Sequence, residues 1–275
     1  MRVIENERIK PVLRWAGGKN WLVKHLNELL PKQGFKNYHE PFLGGASIFL
    51  SINPQKKSYL SDLNQELIQT YNAIKTNPNE IIDKLKTYKN TEEFYYQIRN
   101  VITNDCIENA ARFIYLNQTS FNGIYRVNLK GEYNVPYGHR TKNFLEENNL
   151  LLVSSRLQKA SIFYGDFDCA KSKIKKGDLV FLDPPYTVSH NNNGFIKYNQ
   201  KLFSLDDQIR LSELINYIKG KDAYYILTNA AHSKVLEIFE KGDSLYTMKR
   251  ASLIGGINAE RGKISEYIFS NIKND

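Results

Sequence analysis

Short apolar runs that end in Asp or Pro and then give way to a helical pattern recur at both ends of the chain, and no other feature narrows the fold as far. A strand buried on both faces of a parallel sheet must be apolar throughout, and a crossover helix must precede the next parallel strand. Residues 38–42, 58–62, 161–166, 179–183 and 223–228 fit that description and are predicted as strands. Residues 244–249 and 266–270 flank Gly255-Gly256 and predict an antiparallel return, which leaves the sheet mixed at one edge. The fold class is therefore α/β, and 275 residues suffice to bury its core without metal or disulfide.

Between these two sets of strands the pattern changes. Residues 78–101 and 107–118 have helical spacing, and residues 121–138 are rich in turns. Residues 76–154 thus read as an inserted domain, in a core made of residues 1–75 and 155–275. The insert holds nine basic and nine acidic residues, so the excess of 38 Lys and Arg over 29 Asp and Glu sits on the core. A net charge of +9 favours a polyanionic partner, most economically nucleic acid, although a merely soluble basic protein has the same balance. Cys106 and Cys169 stand too far apart for a metal knuckle or redox pair, which fits a reducing cytosol and no metal site. The charged start has no apolar signal region, and no run of about 18 uncharged apolar residues occurs, so a cytoplasmic protein without a membrane partner is expected.

The ends of the predicted strands carry the chemistry. Glu40-Pro41-Phe42 closes the first and Leu43-Gly44-Gly45-Ala46-Ser47 follows. Glycine lacks the Cβ that would hold a ligand away from the backbone before a helix begins. A structural turn can use the same residues, and the full Gly-x-Gly-x-x-Gly spacing of a dinucleotide site is absent. Asp62 ends the next strand, where a carboxylate can accept from both ribose hydroxyls of a nucleoside, or else cap a helix starting at Leu63. Asp166 ends the third strand and is equally two-sided.

Asp183-Pro184-Pro185-Tyr186 follows the apolar run 179–182. Two prolines fix φ and remove two amide donors, which leaves rigid carbonyls free to accept. The lone pair of a planar exocyclic amine is delocalised into its ring, and it becomes nucleophilic only when acceptors draw its hydrogens out of plane. Asp183 Oδ and the Pro184 carbonyl suit that task, and Tyr186 offers a ring for a base to stack on, worth on the order of 1–3 kcal/mol. The bland alternative is a proline turn capping the sheet. No covalent step is needed, and cytosine-C5 chemistry is disfavoured because Cys106 and Cys169 each follow aspartate instead of proline.

At this point the chain resembles the Dam-like DNA adenine-N6 methyltransferases, with the alpha-class, D12-type motif order, over nearly its whole length. The resemblance implies a Rossmann-like methyltransferase sheet with an inserted helical and β-hairpin recognition domain, and S-adenosylmethionine as cofactor. It implies that Trp15, Ala16, Gly17 and Lys19 of Arg14-Trp15-Ala16-Gly17-Gly18-Lys19 border that cofactor. It further implies that Glu40, Pro41, Phe42, Gly44 and Gly45 cradle the methionine part, that Asp62 binds the ribose, and that Asp166 and Phe167 hold the adenine. Asp183, Pro184, Pro185 and Tyr186 would receive a target adenine flipped out of the duplex, with Asp183 also bordering the cofactor. The family's second glycine often stands one place further on, where this chain has Ala46.

Residues 121–138 are close to the family's DNA-reading hairpin, which reads GATC. Phe121, Asn122, Ile124, Arg126, Asn134 and Pro136 are the residues it assigns to DNA. Independently of the resemblance, Arg126 can bind a guanine edge bidentately and Phe121 can wedge into a vacated stack, while an ordinary hairpin packing its aromatics on the insert is the alternative. Ser189 to Gln200 reads as a flap in which Phe195 or Tyr198 lines the site, or as a solvated loop. Arg250 to Gly256, with Arg261 and Lys263, reads as a basic loop touching phosphates.

With this assignment go double-stranded DNA as partner, a cognate restriction endonuclease as functional counterpart, and a monomer or weak dimer. The same tetrapeptide would serve cytosine N4, RNA adenine or a protein glutamine, and a scaffold that has lost catalysis would keep only DNA binding.

Overall fold

The computed structural model describes residues 9–128, 130–186, 203–251 and 263–273. The expected flap and the expected loop from Ser252 to Arg261 lie outside the described residues. Seven strands, Tyr38–Glu40 (β1), Ser58–Asp62 (β2), Ala160–Tyr164 (β3), Leu179–Leu182 (β4), Tyr224–Ala230 (β5), Ser244–Ala251 (β6) and Lys263–Ser270 (β7), form one mixed sheet in the order β3-β2-β1-β4-β5-β7-β6. β1 runs parallel to β2 and β4, and β4 to β5, while β7 is antiparallel to both β5 and β6. This is the α/β class expected from the strand pattern, with the mixed edge where the closing hairpin was predicted.

Strand ends shift for local reasons. β1 stops at Glu40 because Pro41 has no N–H to give the ladder. β5 extends to Ala230 because β7 pairs with it as far as Ala230 opposite Glu266. The order of strands reverses between β1 and β4, and at such a switch point the crevice lies outside the carboxyl ends. At the opposite end, β1 and β4 are pinned by a fully buried pair, His39 Nε2 lying 2.9 Å from Asp178 Oδ2. Burial pushes the Asp178 carboxyl up, but His39 and the amides of Asn37 and Lys175 outweigh it and leave it below the ordinary range.

The chain divides into two compact units, one of Met1–Val23, Leu43–Gln55 and Ser61–Tyr164, the other of Lys24–Phe42, Lys56–Leu60 and Gly165–Asp275. Residues 76–154 lie wholly in the first. Besides Leu26–Leu29 (α1, second unit) and Ser47–Ile52 (α2), the helices of the first unit are Gln65–Thr76 (α3), Pro78–Lys86 (α4), Glu92–Arg99 (α5), Cys106–Thr119 (α6) and Glu147–Leu157 (α7). The helical stretch predicted over 78–101 is two helices, because Thr91 starts the second by accepting from Phe94 N at 3.3 Å. Leu67, Tyr71 and Ile74 of α3 are buried, as are Ala110, Phe113 and Ile114 of α6, and these two helices pack together.

In the second unit Leu205–Gly220 (α8) and Ser233–Phe239 (α9) follow the sheet order. Val180 and Leu182 of β4, Tyr225 and Leu227 of β5, and Leu211, Leu214, Ile215 and Ile218 of α8 form one buried cluster with Phe167 and Phe203. Burying a side chain of this size contributes roughly 1.5–3 kcal/mol, so this cluster is what holds the strand ends in place. Among the described residues no helix is long and apolar enough to cross a membrane, and no group of His, Cys, Asp or Glu could hold a metal ion.

Candidate active site

The first unit carries the N-terminal element. Arg14 is fixed by its backbone to α6, its N donating to Asn117 Oδ1 at 2.7 Å and its O accepting from Asn117 Nδ2 at 2.8 Å. Trp15 then stacks on Tyr125 with ring centres 5.5 Å apart. Gly17, at φ 80°, closes a turn in which Gly18 N donates to Trp15 O, and Lys19 folds back so that Nζ donates to Gly17 O at 2.9 Å. Ala16 is exposed, whereas Lys19 is 2% exposed.

Trp15 also decides the glycine turn. A Cβ at Gly44 would stand 2.7 Å from Trp15 Cδ1, and one at Gly45 would stand 3.1 Å from Trp15 Cβ. Only glycine lets the indole lie this close, and Gly44 in addition has φ 45°. Ala46 adopts φ 57° and is fully buried, a left-handed conformation that costs a non-glycine residue on the order of 1–3 kcal/mol.

Asp62 is not a helix cap. Asn64 caps α3 by accepting from Leu67 N, while Asp62 Oδ2 accepts from Gly44 N and Oδ1 from Asn64 N, each at 2.9 Å. Burial raises the Asp62 carboxyl above its ordinary range, and the amides of Gly44, Asn64 and Leu63 partly offset this.

The turn-rich segment forms a short antiparallel pairing, with bridges Ser120 to Tyr137 and Val127 to Tyr133. Asn128 builds its tip, Oδ1 accepting from the amides of Lys130 and Glu132. Arg126 is exposed and is held by Asn134, Nε donating to Oδ1 at 2.8 Å and Nη2 to the carbonyl at 3.2 Å. Phe121 N donates to Pro136 O at 2.9 Å, and Phe121 is 54% exposed. Asn122 at φ 55° bends the chain, and Ile124 closes the 3-10 turn Phe121–Gly123. The base of the hairpin is packed: the Tyr133 hydroxyl lies 3.0 Å from Ser120 Oγ, and Tyr125 OH donates to Glu66 Oε2 at 3.2 Å.

The second unit carries the strand-terminal carboxylates. Thr228 Oγ1 of β5 donates to Asp183 Oδ1 at 2.7 Å, just past the end of β4. Tyr186 OH donates at 2.7 Å to Glu266 Oε2 of β7, and that glutamate is fully buried. Burial, together with the charges of Asp183 and Glu266, pushes the Tyr186 phenol far above its ordinary value, so it remains a donor. Pro184 is buried and Pro185 half-buried. Glu40, 3% exposed, accepts from Tyr38 OH at 2.7 Å. Phe42 stacks on Phe167 with ring centres 5.4 Å apart, and Asp166 Oδ1 accepts from Asp168 N at 3.0 Å.

A family described as D12 class N6 adenine-specific DNA methyltransferase matches residues 15–253. The chain belongs to that family. It is 31% identical over 287 aligned residues to the type II methyltransferase M1.LlaDCHI of Lactococcus lactis subsp. cremoris, covering 100% of both chains. It is 32% identical over 283 residues to the type II methyltransferase M.MjaIII of Methanocaldococcus jannaschii, covering 95% of this chain and 97% of that one. With the DNA adenine methylase of Escherichia coli (strain K12) it shares 28% identity over 262 residues, 93% of each. The protein is thus an adenine-specific DNA methyltransferase, and DNA is its substrate.

In this methyltransferase the sequence-predicted residues gather within each unit. Trp15, Gly44, Gly45 and Asp62 make one contiguous group, and Arg126 meets Asn134 across the hairpin. Asp183 and Tyr186 share one strand end, and Phe42 meets Phe167. Sequence reasoning missed Thr228, Glu266 and Tyr125. Glu266 had a signal: it is the one acidic residue in the apolar alternation of residues 264–270, on the face shared with Ile268 and Ser270. Thr228 had none beyond its place at the end of a predicted strand.

Proposed function

We propose that this methyltransferase uses S-adenosylmethionine to methylate N6 of adenine within GATC in duplex DNA, acting on a base rotated out of the helix. The observation that carries the reading is Asp183, an acceptor oriented by Thr228 at the carboxyl end of β4 and followed by two prolines without amide donors. The residues of the first unit suit the cofactor: the Gly44-Gly45 turn packs closely on Trp15 and is tied to Asp62, whose carboxylate keeps acceptor capacity beyond its bonds to the amides of Gly44, Asn64 and Leu63 to offer the ribose. S-adenosylmethionine supplies, when bound, a methyl group on a sulfonium whose departure leaves a neutral sulfide.

The chain's own residues do the rest. Asp183 Oδ and the Pro184 carbonyl accept hydrogen bonds from the two N6 hydrogens and free the nitrogen lone pair; as the N–C bond forms and the donor's S–C bond breaks, N6 gains a positive charge and then gives one proton to Asp183, which passes it to solvent. Tyr186, held by Glu266, offers its ring to the flipped base. Catalysis then comes from alignment and preorganised acceptors, so Asp183 need not be a strong base. Glu40, Pro41 and Phe42 serve the methionine part, Trp15, Ala16, Gly17 and Lys19 border the cofactor, and Asp166 with Phe167 serves its adenine. Arg126 reads guanine, with Asn134 fixing its plane, and Phe121 fills the gap left by the base. Asn122, Ile124 and Pro136 shape that contact.

Two relatives are named as type II methyltransferases, which supports a place opposite a cognate restriction endonuclease. The test is transfer of labelled methyl from S-adenosylmethionine to duplexes containing GATC, GTTC or no adenine, with the product nucleoside identified by mass. N6-methyladenine in GATC alone is the expected result. Methylation in other contexts removes the target assignment, and no transfer from this donor removes the cofactor assignment.

A further inference from the structure

Arg210 is a charged side chain of the second unit that none of the chemistry above employs. It stands near the start of α8, whose N-cap Ser204 and Asp207 form a capping box. Asp207 Oδ2 accepts from Ser204 N at 2.8 Å and from Ser204 Oγ at 2.9 Å, which leaves Oδ1 to accept from Arg210 Nη1 at 2.8 Å. The other arm of the fork is shared: Nη2 donates to Asp166 Oδ1 at 2.6 Å and to Asp168 Oδ2 at 2.8 Å. The guanidinium carbon lies 4.7 Å from the centre of the Phe167 ring, between those two aspartates in sequence. One planar cation therefore touches three consecutive residues at the end of the turn after β3.

Lys171 pairs with Asp168 alone, at 2.7 Å, so the cation that the two carboxylates share is Arg210, and without it Asp166 would face Asp168 across two residues and Phe167 would lose part of the cover that leaves it 2% exposed. Lysine cannot replace the arrangement, because a point charge has neither the two-armed fork that reaches Asp207 on one side and Asp166 with Asp168 on the other nor a plane to lie flat on a ring. We propose that Arg210 is a positioning residue for the cofactor: it fixes the Asp166 carboxylate and, by covering the buried Phe167 ring, the turn that carries both residues, so that the adenine-binding wall is formed before the ligand arrives. The assignment rests on the reading that Asp166 and Phe167 serve the cofactor adenine. A wall formed in advance removes the ordering cost from binding, so its loss shows in affinity and spares the chemical step.

Calorimetric titration of the full-length protein with S-adenosylmethionine and with S-adenosylhomocysteine, without DNA, tests this in Arg210→Met, Arg210→Lys and Asp166→Asn. Arg210→Met is expected to bind both at least about tenfold more weakly, with kcat at saturating cofactor within about twofold of wild type. Arg210→Lys should recover only part of the affinity. The double variant Arg210→Met with Asp166→Asn should bind no more weakly than the worse single one, as coupled groups do. Wild-type affinity in Arg210→Met alongside weakened Asp166→Asn overturns the assignment. So does a loss in which kcat and the unfolding midpoint fall together with affinity, since that marks a purely structural role. If Asp166→Asn binds as wild type while Asp62→Ala does not, the adenine reading itself is wrong and the Arg210 assignment falls with it.

Discussion

The glycine turn of the first unit and the Asp183 tetrapeptide of the second are both strand-terminal sites, yet they are held in different ways. Asp62 reaches Gly44 across 18 residues of sequence, and the turn is shaped by bare backbone and one indole. Asp183 and Tyr186 depend on Thr228 and Glu266, 45 and 80 residues further along the chain. A site made of backbone conformation is specified locally, because φ and the presence of a Cβ belong to the residue itself. A site made of oriented side chains is specified by whichever neighbouring strands supply the partners, and sheet order alone decides which those are. The same contrast separates the hairpin tip, where Asn128 bonds residues two and four ahead, from the Arg210 cluster, which joins α8 to residues more than 40 positions away.

If that contrast holds, variants of the second site should damage chemistry and those of the first should damage binding or stability. Asp183→Ala is the sharpest case: kcat should fall about a thousandfold or more, the scale seen when one preorganised electrostatic group is removed, while circular dichroism stays that of the wild type. Arg126→Ala should lose about 1–3 kcal/mol of discrimination at one base pair, read from kcat/KM on GATC against single-substituted duplexes, with cofactor affinity unchanged. Gly44→Ala should cost about 1–3 kcal/mol from its φ alone, and the denaturant midpoint should drop together with a shift in Trp15 emission, since the new methyl meets the indole. Unchanged emission would break the argument that Trp15 dictates glycine there.

Two smaller effects probe each site by itself. Thr228→Val keeps the shape and removes the donor to Asp183 Oδ1, so kcat should fall about ten- to hundredfold, in line with roughly 1.5–3 kcal/mol for a hydrogen bond to a charged group. Cofactor affinity should fall as pH is lowered through a point above the ordinary aspartate value of 3.8, because burial raises the Asp62 carboxyl. The sign for stability is the opposite: protonated Asp62 favours the fold, and that contribution is lost as pH rises through the raised pKa. Asp62→Ala should remove the low-pH loss of affinity, having lost most of the affinity itself.

Much of this was legible in the chain. Apolar runs ending in Asp or Pro marked the parallel strands, and the hairpin at residues 244–270 marked the mixed edge. Gly44-Gly45, Asp183-Pro184-Pro185-Tyr186 and the Arg126 hairpin stood out because each departs from what a plain strand or turn requires. The helical spacing over 78–101 does not show where one helix ends and the next begins, and the Thr91 cap is what divides the stretch in two. Asp62 was left between capping and ligand binding because both uses place a carboxylate at a strand end, and Asn64, two residues on, took the cap.

What the sequence determined by itself was whatever a residue carries with it: period, φ preference, a missing Cβ, a missing N–H and formal charge. Those quantities set the fold class, the glycine turn and the acceptor-rich tetrapeptide. The tertiary structure alone decided the partners: that Trp15 lies on Tyr125 and forbids a Cβ at Gly44, that Thr228 aims Asp183, that Glu266 holds Tyr186, and that Arg210 gathers Asp166, Asp168 and Asp207 around Phe167. The physical reason is range. Backbone preferences act within a few residues, whereas a hydrogen bond or ion pair forms only after chain segments distant in sequence have been brought within about 3 Å by the packing of the sheet and its helices.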